Sequence, residues 1–262
     1  MTDQQRIDFE ARGYLILEKA LPGSELDEAR RAFDAAPDLS ELPNHDSIFI
    51  HLSQHAGFFP HVHRIIGDVV QLRSITGSLI APGDSGCGWH RATASMLGVH
   101  HPLSTVGVVT VLHLDPTADD DACVAVVPGS HRFRSELSIP DVDRIEEMPH
   151  AVRLNATPGT VLLLHANIWQ ARLPNATGTR RSLTYVYNHC WMRQALPALQ
   201  SDAQGAIAAS HNLSQLFGIG PDLSRATGYW SRSVEGYPSS HGLPERKFSE
   251  LKVVGQGVKP NK

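Results

Sequence analysis

The feature that most narrows the fold is a change of period near residue 72. From there the chain breaks into short β-rich runs at 72–80, 106–114, 123–127, 152–154, 160–165 and 182–187, divided by Gly, Pro and Asp turns. Two helical segments come before them. One is expected to be capped by Ser24, with Leu26, Ala29, Arg30 and Phe33 at helical spacing and Glu25, Asp27 and Glu28 in its first turn. The other is expected over 58–70, entered through Pro60. A short apolar strand at 13–17 follows a polar leader, and 37–44 reads as a loop. Two helices followed by six or more short strands predict an antiparallel barrel or jelly roll rather than a βαβ fold, with the helices covering one sheet face.

Composition removes several functional classes. The net charge is −4 and no basic run is present, so no nucleic-acid partner is expected. The longest apolar stretches, such as 106–112 and 161–164, are far too short to span a bilayer. The first residues lack an apolar signal core, so a cytoplasmic location is expected. Cys87, Cys123 and Cys190 are odd in number and widely spaced, which suggests buried free thiols rather than disulfides or a zinc ribbon. Histidine is the one oddity, with 15 copies.

Three motifs in order carry the chemistry. They are Gly88-Trp89-His90-Arg91-Ala92, then Val127-Pro128-Gly129-Ser130-His131, then a stretch from Pro158-Gly159 through Leu164-His165 to Arg181. With the N-terminal GYLILEKALPGSELDEARRAF, they resemble the phytanoyl-CoA dioxygenase (PhyH) family over roughly residues 6–192. The resemblance implies a mainly β fold with flanking helices, a cupin-like double-stranded β-helix or jelly roll. It implies one domain over 1–262: helices to residue 71, a barrel over 72–192, and a Ser-, Gly- and Pro-rich tail or lid over 193–262.

Enzymes of that family hold Fe(II) with a His-x-Asp pair and a distal His, leaving open positions for 2-oxoglutarate and O₂. An Arg about eleven residues beyond the distal His grips the far carboxylate of 2-oxoglutarate. On this chain the first His is His90, the Asp position holds Ala92, and the distal His position falls on Gln170. Arg181 stands eleven residues later (181 − 170), with Arg180 as its substitute if the register slips by one. Two of three ligands are therefore replaced. Ala has no donor atom, and Gln offers a neutral amide oxygen, a poor partner for Fe(II). Related halogenases also carry Ala or Gly at the Asp position, but they keep both histidines.

The expected function is a small-molecule tailoring enzyme that works without a metal or other cofactor. His90, Gln170 and Arg181 would carry acid–base chemistry such as cyclisation, isomerisation or elimination. Trp89, Ala92, His113, His165 and Trp169 are expected around the pocket, and if a metal is bound, His90 and His165 would hold it. His113 and Asp115 would share a strand face. His100 and His101 are expected at the pocket mouth or in solvent, His131 in a structural turn, and Asp119, Asp120 and Asp121 in a solvated loop. The substrate is expected to bear a carboxylate or carbonyl, and a homodimer is compatible with the chain. Two alternatives stay open: an Fe(II)/2-oxoglutarate oxygenase, hydroxylase or halogenase, with an atypical ligand set, and a non-catalytic pseudo-oxygenase that binds a partner.

Overall fold

In the computed structural model, which describes residues 1–68, 70–92, 105–118, 121–133 and 137–219, nine strands form two antiparallel sheets. The strands are β1 (Tyr14–Leu17), β2 (Val70–Ile80), β3 (Cys87–Arg91), β4 (Gly107–His113), β5 (Val124–Val127), β6 (Val152–Leu154), β7 (Val161–His165), β8 (Trp169–Arg172) and β9 (Arg180–His189). The larger sheet runs β1-β7-β4-β9-β2 and the smaller β3-β8-β5-β6. Every pairing is antiparallel, and sequence neighbours such as β3 and β4 lie in different sheets, as in a jelly roll.

Alternation along the strands sorts the core into two layers. On β4, β7 and β9 one set of side chains, including Val108, Leu112, Leu163, Leu183, Tyr185 and Tyr187, packs under the helices. The other set, including Val109, Leu162 and Leu164, meets Val126 and Leu154 of the smaller sheet. The helical layer comprises α1 (Asp3–Arg12), α2 (Gly23–Ala35), α3 (Leu42–His45), α4 (Ser47–Leu52) and α5 (Phe59–Ile66). It supplies Phe9, Phe33, Phe49, Phe58 and Phe59 to the first layer. The Tyr185 and Tyr187 hydroxyls stay satisfied there by donating to the Phe49 and Ser53 carbonyls.

Local signals differ from the sequence expectations at several places. The polar leader is a helix, α1, opened by a reciprocal capping box between Thr2 and Gln5. It stops at Gly13, whose φ of +83° turns the chain into β1. Helix α2 starts after Pro22, not after Ser24, and has no side-chain cap. The expected loop at 37–44 contains the start of α3. Beyond β9, the expected lid instead begins with α6 (Ser201–Ala208) and α7 (His211–Leu216), whose Ile207, Leu213 and Leu216, with Phe217, join the helix-side core. Residues 220–262, like His100, His101, Asp119 and Asp120, lie outside the described residues. Among the described residues no helix is long and apolar enough to cross a membrane.

Candidate functional site

A cavity of about 320 Å³ opens between the two sheets, large enough for a small metabolite. Valines of β4, β5 and β9 form its apolar wall, and His90, Gln170, His113, Arg172, Arg180 and Arg181 are among its polar groups. The first two are placed by strand pairing, since His90 on β3 lies directly across from Gln170 on β8. Their Nε2 atoms are 3.3 Å apart. His90 Nδ1 is 2.8 Å from the Gly88 carbonyl, an acceptor only, so Nδ1 carries the proton and donates. Nε2 is then the basic atom, and it accepts from the Gln170 amide. Ala92 lines the same cavity with a methyl group.

His113, at the end of β4, is 5% exposed and lines the cavity. Burial pushes its pKa down to about 4, so the ring is neutral, and its Nε2 has no hydrogen-bond partner. Asp115 does not share its face. The strand ends at His113, and Asp115 turns to the helix side, where it meets Arg181 and Arg30.

That ion pair changes the expected clamp. Arg181 Nε and Nη2 each donate to Asp115 at 2.9 Å, its backbone N–H does the same, and Nη1 donates to Asp34 on α2 at 2.6 Å. These bonds hold the guanidinium pKa above its ordinary value, and the Asp115 carboxyl falls below its own although burial alone would raise it. The Arg181 guanidinium is committed to tying α2 to the sheet. Both arginines line the cavity, Arg180 on the same side of β9 as Ser182, Thr184 and Val186, whereas the Arg181 guanidinium is bound to Asp115 and Asp34. Arg180 Nη2 donates to Asp121 at 2.9 Å, while its Nε is buried and has no partner. Asp121 is itself buried rather than solvated, with a pKa held at about 2 by bonds from Thr177, Arg180 and the Ala176 and Thr177 backbone.

Three expected pocket residues do not line the cavity. Trp89 and Trp169 face the outer side of the smaller sheet, where they pack with Val127 and Met148. Trp89 Nε1 donates to the Ile145 carbonyl, and Arg91 lies over the Trp169 ring. His165 is in phase with Val161 and Leu163 on the helix side of β7, beside Phe9 and the His131 ring. The alternation of β7 thus separates it from His90 as a paired metal ligand. His131 Nε2 donates to the Glu10 carbonyl, joining the turn before it to α1.

Among the described residues no three His, Cys, Asp or Glu side chains converge as metal ligands. A facial triad for Fe(II) needs two imidazoles and a carboxylate. The positions that the resemblance assigns to it, His90, Ala92 and Gln170, hold an imidazole, a methyl and a neutral amide, a donor set without the carboxylate and the second imidazole. Sequence reasoning missed Cys87, which was expected to be buried. It is exposed, lines the cavity, and has its sulfur 3.7 Å from His90 Nδ1. Cys123 is buried and Cys190 half-buried, and all three are free.

Comparison with known proteins agrees with the fold. HygX from Streptomyces hygroscopicus with iron bound superposes at a TM-score of 0.65 and 17% identity, over 78% of this chain and 94% of that one. HygX with nickel and 2-oxoglutarate gives 0.64 and 18%, with the same coverage. SnoK, a non-heme alpha ketoglutarate dependent carbocyclase from nogalamycin biosynthesis, gives 0.54 and 16% over 72% and 84%. No curated protein matches the sequence. The family model for phytanoyl-CoA dioxygenase (PhyH) matches residues 39–183, more than half of the chain, and with the jelly roll around it this means that the protein belongs to the PhyH family.

Proposed function

We propose that this PhyH-family protein is a small-molecule enzyme that has given up the family's iron chemistry for proton transfer, of the kind that drives cyclisation, isomerisation or elimination. The observation that carries the reading is the His90–Gln170 pair, 3.3 Å apart, beside the methyl group of Ala92. His90 Nε2 is the proton acceptor, fixed in direction by the Nδ1–H bond to Gly88. Gln170 orients a carbonyl or amide of the substrate through either end of its side chain. Arg180, a lining residue of the cavity whose buried Nε has no partner, offers a donor to a substrate carboxylate. The valine wall excludes water from the rest of the ligand.

A second reading, an Fe(II)/2-oxoglutarate oxygenase or halogenase with other ligands, draws on the iron- and 2-oxoglutarate-bound states of HygX on the same fold. Anaerobic titration of metal-stripped protein with Fe(II) and 2-oxoglutarate separates the two. Our reading expects no visible charge-transfer band and no saturable iron binding. A band with tight uptake of iron would overturn it, and substrate screens would then include halide. Once a substrate is found, His90→Ala is expected to abolish turnover; full activity in that variant would remove His90 from the chemistry.

A further inference from the structure

Cys87 and His90 are three residues apart on β3 and would face opposite sides of a regular strand. Cys87 opposes Arg172 and His90 opposes Gln170, so three steps on β3 (90 − 87) span two on β8 (172 − 170). The extra residue is a β-bulge at Gly88 and Trp89. Through it the Trp89 indole turns outward to Ile145, while Cys87, His90, Gln170 and Arg172 all line one cavity.

The sulfur has a polar neighbour in His90, and Arg172 stands across the strand pair from it. His90 Nδ1–H, already donating to Gly88, lies 3.7 Å from it. Arg172, directly opposite, pairs one nitrogen with Asp84 at 2.9 Å and keeps a buried Nη1 without a partner. Reactive cysteines occupy such electropositive, accessible settings. A separate observation points to a ligand: His113, a residue 5% exposed, lines the same cavity, and its Nε2 is buried with no partner. Buried polar atoms are nearly always satisfied, so a lone one facing a cavity is a binding group in want of its ligand.

We propose that Cys87 is a nucleophile of this cavity and that it adds to the β-carbon of an α,β-unsaturated carbonyl compound. The thiol proton leaves to solvent and the sulfur lone pair forms the S–C bond. The π pair of the C=C bond shifts so that the charge rests on the carbonyl oxygen, to which the Gln170 amide donates. His90 Nε2, protonated from solvent, delivers a proton to the α-carbon. Rotation about the former C=C bond, now single, follows in the saturated adduct. Removal of the α-proton by His90 and expulsion of the sulfur then restore the C=C bond and the free thiol. No oxidant or reductant is consumed. The proton transfers rest on the acid–base reading above, whereas the reactivity of the thiol does not.

The test uses the full, metal-stripped chain and N-ethylmaleimide, itself an α,β-unsaturated carbonyl compound, with each cysteine followed by peptide mass spectrometry. Exposure alone lets native Cys87 react at most as fast as Cys87 in the urea-unfolded chain. The proposal expects native Cys87 to react at least about tenfold faster than that. Cys190 is the internal control, since its sulfur also lies 3.7 Å from a histidine, His189, but burial pushes its thiol pKa up. It should react more slowly native than unfolded. Gln170→Leu, or Gln170→Asn if that variant loses its native circular dichroism, should cut the maleimide rate and spare alkylation by iodoacetamide, which builds no enolate. Native Cys87 that reacts no faster than unfolded Cys87 overturns the proposal, and a maleimide rate indifferent to Gln170 overturns the choice of substrate class. Because the metal is removed first, iron binding in the earlier titration would leave this result to stand or fall alone.

Discussion

Along β9, Arg180, Ser182, Thr184 and Val186 turn to the cavity, while Leu183, Tyr185 and Tyr187 turn to the helices; Arg181 also lines the cavity, but its guanidinium is held by Asp34 and Asp115. Two adjacent arginines therefore carry separable effects. Arg181→Gln leaves Asp115, whose side chain is 13% exposed, with Arg30 at 3.8 Å as its cation and the backbone N–H of residue 181 as a donor. A partly buried carboxylate stripped of its main partner should cost about 2 kcal/mol, measured as a lower urea midpoint, with little change in ligand affinity. Arg180→Lys keeps a cation for Asp121 but loses the fork. It should weaken binding of succinate, used as a simple dicarboxylate probe, by roughly tenfold in calorimetry. The reverse pattern would return the clamp to Arg181. Motif spacing pointed to this pair of neighbours at the start of β9, both of which line the cavity. It did not fix the parity, which depends on where β9 takes up its pleat. The same cause misplaced Trp89, Trp169 and His165, each adjacent in sequence to a position of interest and turned to another layer.

At the scale of elements, the β3–β8 pair is what makes the site. The sequence announced β2, β4 and β7 by their apolar runs, but β3 (CGWHR) and β8 (WQAR) carry mixed polar and aromatic residues with no clean alternation. Their strand character comes from pairing with each other and with β5, which no local pattern reveals. The bulge that brings Cys87 beside His90 is equally silent in the sequence, because it is a property of two strands together. Its approach is fixed by Gly86, whose φ is +84° and whose added Cβ would collide with the Arg172 carbonyl on β8. Gly86→Ala is therefore expected to push the start of β3 away from β8, at a cost of about 2–3 kcal/mol from backbone strain and lost pairing. The informative readout is local: the native Cys87 should lose its rate advantage toward N-ethylmaleimide even under conditions where the chain remains folded. A folded Gly86→Ala variant with the rate intact would mean that the bulge is held by β8 alone.

For the molecule as a whole, the jelly roll stores several histidines in neutral form, and this sets how it responds to acid. Burial lowers the pKa of His113 to about 4 and that of His61 to about 4, and it lowers His131 as well. In the unfolded chain each titrates near 6.5. Between these values the unfolded state binds more protons than the folded one, so stability rises with pH and is lost as the pH falls from about 6.5 toward 4. For His113 alone the loss amounts to about 3 kcal/mol once the pH has passed through its folded value, a large share of what a domain of this kind has to lose. Asp115 and Asp121, both held below the ordinary carboxylate range, add a second loss at lower pH, when their ion pairs with Arg181 and Arg180 are protonated away. The chain should therefore unfold in two overlapping acid regimes, the first owned by imidazoles. Urea titrations at a series of pH values test this through one substitution. His113→Gln keeps a polar side chain in the cavity wall but removes the titrating ring, so its stability should fall less steeply than that of the parent between pH about 6.5 and about 4. Parallel curves for the two proteins would mean that His113 takes up its proton inside the fold as readily as in the unfolded chain, and is hydrated there. The cavity would then be wet, and the neutral imidazole could not be the binding group that the wall presents.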